Sequence, residues 1–176
     1  KYSWRLKPSS ATIGFAYNDY AVAMMAKGLG YQEDYEKYIQ SSKKWLNNWD
    51  ENLVSSDGYK GFIHKRAADG SYATVDPSHF VGNDGTEKLW QGYNDDFYEA
   101  GIWEGSYSPT FDLPTLVEKM GGKYEYADRL DYALGQGYIN FANEPAFQTI
   151  WTSASDEVQR PDLASKWVDV YLSKYT

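Results

Sequence analysis

The sequence has no cysteine, which excludes a disulfide framework, a thiolate metal site and a cysteine nucleophile. It also lacks a basic run. Lys and Arg number 17 against 25 Asp and Glu, giving a net charge of −8 with the cations scattered. Nucleic-acid binding needs clustered cations, so that class is excluded. No apolar stretch approaches the roughly 18–20 residues that span a bilayer, which excludes a membrane span. Histidine is scarce: His64 and His79 have no second ligand at metal-binding spacing and read as loop residues. Gly-x-Gly-x-x-Gly, P-loop and EF-hand patterns are absent. The chain opens on Lys1 with no leader segment in view, which reads as a processed or truncated polypeptide.

Aromatic side chains are abundant: 7 Trp, 17 Tyr and 7 Phe among 176 residues, far too many for a disordered chain. Most of them belong in a core. Tyr and Trp also join a flat apolar face to a polar tip, which suits stacking on sugar rings and hydrogen bonding to hydroxyls.

Helical punctuation recurs along the chain. Ser9 and Ser10 precede Ile13, Ala16, Tyr17, Tyr20, Ala21, Met24 and Met25, and Gly28 and Gly30 close the segment. A second apolar stripe runs from Tyr31 to Trp49 and makes an αα-hairpin with the first. Asp112 and Pro114 open a helix that stops at Gly121-Gly122, and Lys123 to Leu134 forms the next. Glu144-Pro145 opens another helix through Phe147, Ile150 and Trp151, and Pro161 opens the last. Residues 50–92 differ, because Asp57-Gly58, Asp69-Gly70, Asp76-Pro77 and Asp84-Gly85 are turn dipeptides. With Phe62, Tyr72, Phe80 and Trp90 inside it and Tyr93 just after it, this stretch reads as a long ordered loop lining a site. The fold class is therefore all-α. It consists of helical hairpins from a ring with a central cavity, and about three hairpins are present where a closed ring of six needs twice as many.

Several phrases in one order carry a family resemblance. They are Ala11-Thr12-Ile13-Gly14-Phe15-Ala16-Tyr17-Asn18-Asp19-Tyr20, then Gly61-Phe62, Asp69-Gly70-Ser71 and Asp76-Pro77. Tyr98-Glu99, Trp103, Tyr107, Asp112, Met120-Gly121-Gly122, Arg129-Leu130-Asp131 and Asn143-Glu144-Pro145 follow. From about residue 10 to 165 the chain resembles the α-mannosidases of glycoside hydrolase family 92. The resemblance implies that residues 1–176 are part of an (α/α)6 toroid within a larger protein, incomplete without the remainder of the parent polypeptide. It implies calcium-dependent, inverting exo-hydrolysis of α-mannosides in N-glycans or mannans, by a secreted or periplasmic enzyme.

By the same resemblance Glu99 falls on the general acid, Trp103 on the aromatic lining the sugar pocket, and Asn143 and Glu144 on a calcium-holding phrase. The catalytic base is expected after Thr176. Departures from the family pattern fall at Gly14, where a Glu is usual, at Glu99-Ala100-Gly101-Ile102-Trp103, and at Thr110-Phe111-Asp112, where Pro-His-Asp is usual. They also fall at Phe147 and Gln148, where a pair of His is common. Polar contacts in the innermost sugar site are thus replaced.

Inverting hydrolysis needs one protonated carboxyl at the leaving oxygen and one carboxylate activating water, roughly 6.5–9.5 Å apart. Tyr98, Phe97 and Trp103 are near enough in sequence to desolvate Glu99, and Asp95 and Asp96 to repel its charge. The bland reading of Glu99 is a surface residue at a helix end. Asn143 and Glu144 offer oxygen ligands of the kind calcium takes in groups of six to eight, and they equally suit a helix cap. Asp112 reads as an N-cap, Asp95 and Asp96 as a solvated acidic turn, and Trp45 and Trp49 as core. Tyr98, Tyr107 and Trp90 are further candidates for sugar contact, where stacking competes with packing. Two rivals share these features: a non-catalytic glycan-binding or scaffold domain, and another six-hairpin sugar enzyme.

Overall fold

The computed structural model describes residues 7–78, 96–140 and 143–173, without the side chain of Pro145. The chain is mostly helical, as expected, with one small antiparallel hairpin.

Helix α1 (Pro8–Leu29) begins with proline at its first turn and ends at Gly30, whose φ of 80° provides the left-handed cap that a side chain disfavours. Ser9 and Ser10 do not cap it. They lie inside the helix, and their amides donate to the carbonyl of Asp96 at 3.1 and 3.3 Å. A distant strand of chain thus satisfies the orphan donors of the first turn. Helix α2 (Gln32–Ser41) folds back on α1 as an αα-hairpin.

The expected continuation of α2 to Trp49 is a 3-10 helix, Ser42–Asn48. Three residues per turn align Ser42, Trp45 and Asn48, and all three are buried. The tighter pitch aims Trp45 at Asp112, to whose Oδ2 its indole N–H donates at 3.0 Å.

Part of the expected loop is a β-hairpin of β1 (Trp49–Val54) and β2 (Lys60–Ile63), with Trp49 opposite Ile63 and Asp50 opposite Phe62. Asp57-Gly58 is its turn, and Asp69-Gly70 turns the next segment so that Arg66 bridges Tyr72. Turn dipeptides spaced around short β-branched and aromatic runs mark hairpins as well as loops. Asp84-Gly85, Phe80, His79, Trp90, Tyr93 and Asp95 lie outside the described residues. His64 is no loop residue. It is fully buried, with Nε2 3.2 Å from Asp50 Oδ2 and its ring stacked on Tyr72 at 4.7 Å.

Helix α3 (Ile102–Ser106) is short and was not expected. Helices α4 (Leu113–Lys119), α5 (Lys123–Gln136) and α6 (Pro161–Leu172) fall where the proline and glycine signals placed them. The helix expected at Glu144 is instead two 3-10 turns, Glu144–Ala146 and Ile150–Ala154. Ala146, Thr149 and Thr152 share the buried face at threefold spacing. The Thr152 and Ser153 hydroxyls donate to the carbonyls three residues back, at 2.6 and 2.8 Å, which tightens this path.

The core centres on Trp103. Its ring stacks on Tyr138 (5.2 Å, 26°) and meets the edges of Phe62 and Tyr59 at 5.0 and 5.2 Å. The Arg129 guanidinium lies 4.0 Å from the Phe62 ring centre and 5.1 Å from that of Trp103. Arg129 is 2% exposed and donates to the Lys60 carbonyl at 2.9 Å. Each such fully buried aromatic contributes about 2–3 kcal/mol.

Candidate active site

A cleft of about 400 Å³ opens between α1 and the two ends of α3. Ser10, Ile13, Gly14 and Tyr17 form one wall. Their spacing of i, i+3, i+4 and i+7 is a single helix face. Phe97, Tyr98 and Ala100 supply the floor and one end; Ser108, Thr110, Phe111 and Gln148 close the other side. Tyr17 meets Phe111 edge to face at 5.6 Å. The Ser10 hydroxyl accepts the Tyr98 amide at 2.8 Å, which ties wall to floor. Phe97 reaches the floor because residue 105 is glycine: a Cβ there would fall within the Phe97 ring.

Among the described residues the lining carries no charge. Apolar faces alternate with Ser, Thr, Tyr and Gln, the neutral donors and acceptors that a sugar ring needs. Gly14, Tyr98, Phe111 and Gln148, positions singled out in the sequence, converge here from four separate segments. Ser10, Ile13, Tyr17 and Ser108 were missed as site residues, although the helical spacing of the first three was readable.

Glu99 stands between two lining residues, but its own side chain is exposed. The expectation of a carboxyl pressed among rings is corrected. Phe97 and Trp103 face the core, and Tyr98 is 65% exposed. Asp96 is buried rather than solvated, with Oδ1 3.6 Å from Lys65 Nζ. The Glu99 backbone adopts a φ of +53°, unusual for a residue with a side chain. Its carbonyl accepts from Asn143 Nδ2 at 3.3 Å.

Trp103 and Tyr107 are both 0% exposed, so packing takes them; neither lines the cleft. The Trp103 indole N–H donates to Ser78 Oγ at 2.9 Å. Burial pushes the Tyr107 phenol well above its ordinary range, opposed by the nearby Arg129 guanidinium. Phe147 is 51% exposed beside Gln148. Trp90 lies outside the described residues.

Asn143 is the N-cap residue of a 3-10 turn, but its side chain does not cap it. Glu144 next to it is exposed. Among the described residues no group of three or more acidic or histidine side chains could hold a metal. Two oxygen side chains fall short of the six to eight ligands of calcium, so these residues alone do not complete its shell. Asp112 is the N-cap residue of α4, yet its carboxylate serves other partners: Lys43 Nζ at 2.5 Å, Trp45 at 3.0 Å and Thr115 at 2.8 Å.

Five residues beyond Glu99 is a carboxyl that sequence gave no reason to notice. Glu104 is 1% exposed, and burial pushes its pKa up to about 7, offset in part by the Asn140 amide that Oε2 accepts at 2.9 Å. It does not line the cleft. A larger cavity of about 490 Å³, beside Arg129, Lys60 and Met120, contains none of the proposed site residues.

Comparison with known proteins places the chain in a family. Residues 3–176 match the glycosyl hydrolase family 92 catalytic domain, and the chain belongs to that family. An uncharacterized secreted glycosidase of Arthroderma benhamiae is 31% identical over 168 residues, 93% of this chain and 21% of that protein. The fold is that of solved members. The gh92 family glycosyl hydrolase ccman5 superposes with a TM-score of 0.68 at 22% identity, over 90% of this chain and 20% of its own. The family GH92 inverting mannosidase BT2199 from Bacteroides thetaiotaomicron gives 0.62 at 21% identity, over 82% and 20%. The catalytic domain in such structures is an (α/α)6 toroid. The chain spans about a fifth of the length of these relatives. Among the described residues no helix is long and apolar enough to cross a membrane.

Proposed function

We propose that this chain supplies one side of the active site of a secreted or periplasmic inverting exo-α-mannosidase, acting on the mannose of N-glycans or mannans. The observation that carries the reading is the convergence of Gly14, Tyr98, Phe111 and Gln148 on one uncharged cleft, with Glu99 at its rim. The names of the solved relatives support mannose, and that of the Arthroderma relative supports secretion.

In this reading Tyr17, Tyr98 and Phe111 offer ring faces to the pyranose, and Ser108, Thr110 and Gln148 hydrogen-bond its hydroxyls. Glu99 protonates the leaving oxygen. Its backbone, locked by Asn143 in a left-handed conformation, holds the carboxyl at the rim. The water-activating carboxylate must stand roughly 6.5–9.5 Å away, and no described lining residue carries one; in this reading the remainder of the parent polypeptide supplies it and the cover that desolvates Glu99. Calcium dependence rests on the Asn143-Glu144 phrase, with the remaining ligands coming from outside these two residues. A non-catalytic glycan-binding domain is the second reading, favoured by the neutral cleft and the exposure of Glu99.

The full-length parent protein decides between them. Chelator-sensitive release of mannose with inversion is expected, and Glu99→Gln should lower kcat by about 10²–10⁴-fold. Unchanged turnover in Glu99→Gln removes the proton-donor assignment, and tight glycan binding without turnover in the unmodified protein selects the binding domain.

A further inference from the structure

Gly14 lies in the middle of a 22-residue helix, where glycine is disfavoured because it surrenders the most backbone freedom and packs nothing. Packing among the described residues does not explain it: a Cβ added there meets none of them within 4 Å. The residue is exposed and lines the cleft on the same helix face as Ser10, Ile13 and Tyr17. The wall is therefore notched at this point, with the α1 backbone forming the notch and Tyr17 its shoulder. Among the described residues, the lining around it carries no Lys, Arg, His, Asp or Glu.

We propose that Gly14 is a specificity-determining residue: the notch receives a second neutral sugar ring, or a branch on the first, lying against the helix backbone. The inference rests on the sugar-binding reading of the cleft and names a preference within it, branched glycans over unbranched ones.

The test compares Gly14→Ala and Gly14→Leu with Gly28→Ala in the full-length protein. Gly28 shares the helix and also has nothing within 4 Å of an added Cβ, but it lies outside the cleft. Each variant is assayed for melting temperature and for kcat/KM on an aryl α-mannoside and a branched α-mannotriose. Binding of the mannotriose is measured separately by tyrosine and tryptophan fluorescence. Gly14→Leu should lose about tenfold or more on the mannotriose, through KM and binding, and should lose less on the aryl mannoside. Gly14→Ala should fall between. All three should melt at or above the temperature of the unmodified protein, and Gly28→Ala should leave both substrates unaffected.

An unaltered ratio between the two substrates in Gly14→Leu overturns the proposal while leaving the mannosidase reading intact. Binding of the mannotriose without turnover, weakened in Gly14→Leu, ends the enzyme reading and supports the notch. Failure of the unmodified protein to bind or cleave any neutral glycan overturns both.

Discussion

Two populations of aromatic side chains sit within one small helical body, and they are used in opposite ways. Around Trp103 the rings of Phe62, Tyr107, Tyr126 and Tyr138 are sealed, and their polar tips either find a partner, as Tyr126 finds Thr152 at 2.8 Å, or lie against Arg129. Along the cleft, Tyr17 and Tyr98 keep more than half of their surface in solvent. Residue type does not distinguish the groups. Position does: the sealed rings project into the core, and the open ones line the cleft from the exposed face of α1 and the turn after Asp96. Exposed aromatics gathered on a concave surface suit the sugar-binding role proposed for this cleft.

Mutation of one member from each side would break this division or sharpen it. The largest effect is expected at the centre of the sealed group: Trp103→Ala should cost about 3–5 kcal/mol in chemical denaturation, through a cavity under Tyr138 and Phe62. A cost near zero would mean that the indole is not the hub of the core.

Glu104 should give the next largest effect, and it is read through pH. Its carboxyl titrates near 7 when folded and near 4.5 when unfolded, so the folded state holds the extra proton between those values. Stability must then fall as pH rises from about 4.5 to about 7, by about 3 kcal/mol, and level off above. Glu104→Gln should flatten that slope, measured as denaturation midpoints across pH. A slope that survives the substitution belongs to another group.

The smallest effect on folding is expected at Tyr98→Ala, within about 0.5 kcal/mol. Its effect should appear instead in glycan affinity, so a large loss of stability there would erase the distinction between the two populations.

Much of the fold is legible in the sequence because its punctuation is chemical. Pro8, Pro114 and Pro161 sit in first turns, and Gly30, Gly121-Gly122 and Gly137 follow last turns, so four of the six helices can be placed closely. The 3-10 segments are not legible, because periods of 3.0 and 3.6 diverge too little over five to seven residues. The hairpin was hidden by its own turns: Asp57-Gly58 and Asp69-Gly70 signal reversal, and only pairing shows that the flanks are strands.

The site is less legible than the fold. Family phrases pointed to Gly14, Tyr98, Phe111 and Gln148, which the cleft unites, but also to Trp103, which the core claims. Sequence adjacency suggested that Phe97 and Trp103 would desolvate Glu99, whereas the left-handed backbone at Glu99 separates its direction from theirs. Glu104 had no local signal, because a short helix between turns does not reveal which of its faces will be covered.

Phe97 belongs to the cleft floor and to the core at once, admitted there by the bare backbone of Gly105. The bottom of the recess is therefore held as tightly as the protein's interior, and any side chain at position 105 would lift it from beneath. Adaptation to a new ligand has little freedom in that direction. Changes that retune recognition at low cost in stability fall on the rim and the helical wall, where a residue can grow, shrink or change polarity without disturbing anything behind it.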